Sequence, residues 1–132
     1  MLEVIFYRDE RDRLAGIAAR GHADFAVHGR DIVCAAVSAV LQAARLGLEE
    51  HAGVELAARQ TPGVLRLSWA EPARELESLR AIVTTAELAV AQIARRFPDH
   101  VRLRRRRIAR EPGGQAAGRV SSLADRRRRH DV

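Results

Sequence analysis

Twice along the first hundred residues, a stretch of alternating apolar and polar positions gives way to apolar residues spaced by three and four. "LEVIFY" at 2–7 is rich in β-formers, "DERD" at 9–12 is a charged turn, and "LAGIAA" at 14–19 returns as a second strand. Beyond a loop at 21–30, Asp31 is a good N-cap for a helix to about Leu48. Val33, Val37, Val40, Leu41, Ala44 and Leu48 give that helix one apolar stripe, and Gly53 is its stop.

The second half repeats the order. "VELAAR" at 54–59 and "VLRLSW" at 64–69 alternate, and "TPG" at 61–63 joins them because Pro fixes one φ while Gly accepts a positive one. Pro72, Glu75 and Glu77 open a second helix, and Leu76, Leu79, Val83, Ala86, Val90, Ile93 and Phe97 carry its stripe up to Pro98. "VRLRRRRI" at 101–108 is either a short edge strand or the start of a tail.

The predicted order is β-β-α-β-β-α, an α+β fold with an antiparallel sheet and two helices packed on one face. The sheet's other face then needs cover, which points to a homodimer. Residues 1–108 form the domain. Residues 109–132, with "EPGGQAAG" and "DRRRRHDV", hold too little apolar content to fold and read as a disordered Arg-rich tail.

Charge changes this picture by being uneven. All 23 basic residues are Arg, and the net charge is +6. Residues 1–101 carry −2 and residues 102–132 carry +8, so the basicity is expected in the tail. A single cysteine excludes an internal disulfide. The opening "MLEVIFYRDERDR" reaches charge too soon for a secretion signal, and no apolar run approaches the ~18–20 residues of a membrane span. A soluble cytoplasmic protein with no membrane association is the expectation.

Candidate chemistry concentrates in "GHADFAVHGRDIVCAAVSAV", residues 21–40. With Asp31 as cap, Cys34 is the third helical residue, where unpaired N–H groups favour thiolate. It sits on the shoulder of the Val33–Val37–Leu41 stripe, able to face a groove while anchored. His22 ends the second strand, and the loop could fold it against the sulfur as a general base. The first helical N–H groups could then hold an oxyanion. Cys34 as a small buried hydrophobe, His22 as a turn residue and Ser38 as a packing residue explain the same residues without catalysis. A metal site from His22, Asp24, His28 and Cys34 matches no standard zinc spacing.

The same twenty residues resemble the signature of the ribosomal-processing cysteine proteases, the Prp family: a Gly-His-Ala turn, a His-Gly pair, then Asp-Ile-Val-Cys-Ala entering a helix with Ser one turn on. The resemblance implies a small homodimeric α/β protease in which Cys34 is the nucleophile, His22 its base, and Gly21, Asp31 and Ser38 shape the site. It implies no cofactor and no metal. The implied substrate is the N-terminal extension of a large-subunit ribosomal protein, and loop 23–30 is the part that would close over it. The run after about Arg107 departs from the family pattern. It reads either as a solvated tail or as a weak rRNA tether, since arginine clusters bind phosphate without regard to sequence. In the competing reading the protein is a non-enzymatic ribosome- or RNA-associated factor acting through that tail.

Overall fold

The computed structural model of the chain describes residues 1–21 and 28–108, with the side chains of 28–31 outside that description. Strand β1, Leu2–Arg8, turns at Asp9–Arg13 into β2, Leu14–Gly21. Helix α1 runs His28–Leu46 and closes with a π-helical turn, Gly47–His51. Strands β3, Ala57–Thr61, and β4, Val64–Ser68, form the second hairpin about Pro62 and Gly63, and Gly63 has φ of 77°. A 3-10 turn at Glu71–Glu75 leads to α2, Glu77–Arg96, and then to β5, Val101–Arg107.

The five strands form one sheet in the order β3-β4-β2-β1-β5. Its inner pairs are antiparallel as expected, but β5 runs parallel to β1, so the sheet is mixed. The reason is the crossover: α2 carries the chain from β4 past two intervening strands, so β5 enters in the same direction as β4.

The central positions of both stripes are buried as the spacing requires, whereas Leu76 and Phe97, at the ends of the second, flank α2 and are exposed. Val33, Val37, Leu41 and Ala44 of α1 and Leu79, Val83, Ala86 and Val90 of α2 pack with Val4, Phe6, Ile17 and Leu67 of the sheet. Trp69 is buried and donates its indole N–H to the Leu14 carbonyl at 3.0 Å, so the core's largest side chain has its polar atom satisfied. Gly53 ends the α1 unit with φ of 66°.

Three expectations need correction. Helix α1 starts at His28, so Asp31 is inside the helix and is not its cap. Gly29 is a poor helix former and hides the first turn from a propensity reading. The segment Ile32–His51 is, by length and composition, apolar enough to cross a membrane, although only one of its faces packs on the sheet and 28% of it is buried. Finally, Arg102, Arg104, Arg105, Arg106 and Arg107 belong to β5. Residues 1–108 therefore carry +3, and the basicity is shared between domain and tail.

Candidate active site

Cys34 is held by its neighbours on α1. Val33 and Val37 are buried against the sheet, which leaves the half-buried Cys34 on the shoulder of the stripe, as its spacing predicts. There it lines a cavity of about 140 Å³ between α1 and the β3–β4 hairpin. Leu2 and Ala19 form the floor, Val37, Ser38 and Leu41 the helix side, and the segment about Thr61 and Gly63 the far wall. Ser38, one turn beyond Cys34, is exposed at the same cavity.

One polar cluster ties the helix to the hairpin at this cavity. Gln42 donates to the Gln60 side-chain oxygen at 3.1 Å, and Arg45 donates to the same atom at 3.2 Å. Gln42 and Gln60 both line the cavity. Sequence reasoning missed this pair, because no local spacing links residues 18 positions apart on a helix and an edge strand.

Gly21 is the last residue of β2, opposite Leu2 in register, so the chain leaves the sheet beside the cavity floor. Its φ is 101°, and an added β-carbon would collide with the Met1 carbonyl oxygen. A side chain is excluded on both counts. Its N–H donates to the Gly63 carbonyl at 3.1 Å, joining this exit to the hairpin turn.

His22 and Asp24 lie outside the described residues, as do the side chains of His28 and Asp31. The sulfur's electrostatic setting differs from the sequence expectation. Cys34 is the seventh residue of α1, so its N–H falls within the helical ladder. The N–H groups without helical partners belong to the start of the helix, one turn or more before Cys34, and the macrodipole acts chiefly over that first turn. Cys34's own amide is not an oxyanion donor of the kind a third-position cysteine would supply. Among the described residues, no group of His, Cys, Asp and Glu is placed to hold a metal.

Comparison with known proteins bears on this arrangement. The fold is similar to SMU.848 from Streptococcus mutans, with a TM-score of 0.74 and 22% identity over 82% of this chain and 96% of that one. It is also similar to the essential ribosomal processing protease Prp from S. aureus in complex with a substrate peptide, with a TM-score of 0.73 and 20% identity over 80% of this chain and 99% of that one. The same S. aureus protease with a covalently linked product peptide gives 0.71. A search of curated proteins found no match. The family model for cysteine protease Prp matches residues 1–102, and the chain therefore belongs to the Prp cysteine protease family.

Proposed function

We propose that this protease removes the N-terminal extension of a large-subunit ribosomal protein, with Cys34 as nucleophile and His22 as general base. The observation that carries the reading is the placement of Cys34, anchored by Val33 and Val37 and lining the cavity between α1 and the β3–β4 hairpin. Leu2, which lines the cavity, stands opposite Gly21 at the end of β2, and His22 directly follows Gly21 in sequence. That a relative holds a covalently linked product peptide agrees with a covalent mechanism.

In the proposed reaction, the imidazole of His22 takes the proton of the Cys34 thiol, and the sulfur attacks the scissile carbonyl carbon. The tetrahedral oxyanion collapses, the C–N bond breaks, and the departing amine takes the proton from the imidazolium. Water then hydrolyses the thioester, with His22 accepting one of its protons, and the free thiol is regenerated. Gly21, directly before His22 in sequence, fixes where the chain leaves the sheet, and Ser38 borders the groove one turn from the sulfur.

The protease acts in the cytoplasm as a homodimer in this reading. The ground for pairing shifts from the bare sheet face to α1, whose outward side carries Ile32, 72% exposed, and Leu46, 59% exposed, with alanines between them. A helix apolar on both sides seeks cover.

The test is to incubate the ribosomal-protein precursor with parent, Cys34→Ala and His22→Ala proteins and read intact masses. The expected result is loss of the extension with the parent alone, both variants being slower by roughly a thousand-fold or more. Cleavage by Cys34→Ala at the parent rate overturns the reading.

A further inference from the structure

The sheet face turned away from the helices is a field of arginine. Register places Glu3, Ile5 and Tyr7 of β1 on that face, with Gly16, Ala18 and Arg20 of β2 beside them. It adds Arg66 of β4, Arg59 of β3, and Arg102, Arg104 and Arg106 of β5. One continuous row reads Arg59, Arg66, Ala18, Ile5, Arg104 across all five strands. The strand residues of this face thus present six arginines and one carboxylate.

That carboxylate is spent. Glu3 accepts from Arg20 Nε at 3.0 Å on one oxygen and from Arg104 Nε at 2.6 Å on the other. Arg59, Arg66, Arg102 and Arg106 are exposed and make no ion pair among the described residues. Arg59 stands directly opposite Arg66. Like charges in that relation destabilise a sheet unless an anion lies between them. Four strand intervals separate β3 from β5, so the cations span about 19 Å.

We propose that this face binds the phosphate backbone of structured RNA, independently of sequence and of the arginine tail. Planar guanidinium groups bind phosphate in bidentate fashion, and a broad array of them neutralises several phosphates together. The apolar residues of the face do not favour a membrane. Ile5 is 3% and Ala18 8% exposed beneath the arginines, so neither can insert into lipid. Nor does the surface suit a second copy of the chain, which would bring +5 against +5. The helices and the Cys34 cavity lie on the opposite side, so RNA held here leaves the groove open to a peptide.

The experiment uses the full chain and a fluorescein-labelled RNA hairpin, with affinity measured from 50 to 300 mM KCl. The parent is compared with Arg59→Ala/Arg66→Ala/Arg102→Ala/Arg106→Ala, with the same four positions changed to Lys, and with Arg126, Arg127, Arg128 and Arg129 all changed to Ala. Loss of the four face charges is expected to weaken binding about ten-fold or more at 50 mM and to flatten the log–log salt slope by about 3. The lysine version is expected to keep the parent slope. Should the quadruple alanine chain not fold by circular dichroism, the 59/66 and 102/106 pairs are read separately, each flattening the slope by about 1.5. Parent affinity and slope in the face variants, with binding lost only in the tail variant, overturns the proposal. Equal competition by polyglutamate, or equal binding to anionic phosphatidylserine vesicles, overturns the assignment to RNA.

Discussion

The backbone N–H of Gly21 donates to the carbonyl of Gly63, joining the end of β2 to the turn of the β3–β4 hairpin at 3.1 Å. One residue of that pair precedes His22, and the other lines the cavity that holds Cys34. The exit of the loop and the wall of the groove are therefore a single structural unit.

Gly21→Ala tests that unit. With φ at 101° and the Met1 carbonyl in the way, the new methyl forces the backbone to move. Strain of this kind costs about 1–3 kcal/mol. Peptide hydrolysis is expected to fall by a larger factor than stability explains, because His22 is displaced with the backbone. Thermal melts and precursor cleavage, measured on the same preparation, separate the two. A drop in Tm with unchanged kcat/KM would show that Gly21 serves the fold alone.

A second prediction concerns the charge buried beneath α2. Glu87, 3% exposed, accepts from both Arg8 Nη atoms, at 2.9 and 3.0 Å, and from Arg105 Nε at 2.8 Å. Burial pushes the carboxyl's pKa up, but the Arg8 hydrogen bonds, then those of Arg105, leave it below its ordinary value. Replacing Glu87 by Ala strands the guanidinium of Arg8, which itself is only 26% exposed in its side chain. The expected loss is about 2–4 kcal/mol, less than for a fully buried pair because Arg105 reaches solvent. The Glu87→Leu/Arg8→Leu double variant is expected to recover most of it in urea unfolding. Additive losses instead would mean that the two residues act separately.

How much of this was legible follows from where the information sits. The central stripe positions of α1 and α2, the Pro62–Gly63 turn and the shoulder position of Cys34 are matters of local spacing, and each lies where spacing places it, while the stripe ends Leu76 and Phe97 fall outside α2. Local chemistry puts the start of α1 after Asp31, a better cap than any residue about His28, whereas the helix begins at His28. The parallel pairing of β5 and the Gln42–Gln60 link depend on partners far along the chain. "VRLRRRR" reads equally as strand or tail, since five of its seven residues are arginine and only Val101 and Leu103 are apolar. Its strand assignment is what turned a diffuse basic tail into an ordered cationic face.

Acid stability should be set in part by Asp9. This buried carboxylate accepts from the Arg11 and Arg13 amides at 2.9 and 3.0 Å, from Arg13 Nε at 3.0 Å and from Arg74 at 3.0 Å. Burial raises its pKa, but these hydrogen bonds prevail and hold it at about 2. The folded value lies below the unfolded one, so the stabilisation is complete above about pH 4 and fades as pH falls through 2. It amounts to about 2 kcal/mol. Asp9→Asn is expected to be less stable at pH 7 and to show a shallower decline between pH 4 and 2 in urea titrations. Parallel pH profiles for parent and variant would remove Asp9 from the account.

The link between α1 and β3 should govern substrate binding more than chemistry. Gln60 accepts from both Gln42 and Arg45, and these bonds are exposed, so their loss costs about 1 kcal/mol or less of stability. Gln60→Ala leaves Cys34 and its anchors Val33 and Val37 in place while freeing the hairpin wall from the helix. For a groove that must hold an extended peptide, KM is expected to rise several-fold with kcat within a factor of two. Loss confined to kcat would place Gln60 in the reacting geometry and would mean that the wall aligns the scissile bond. Gln60→Glu separates the two further, because its carboxylate still accepts from Gln42 and Arg45. It is expected to keep the parent KM for a neutral peptide.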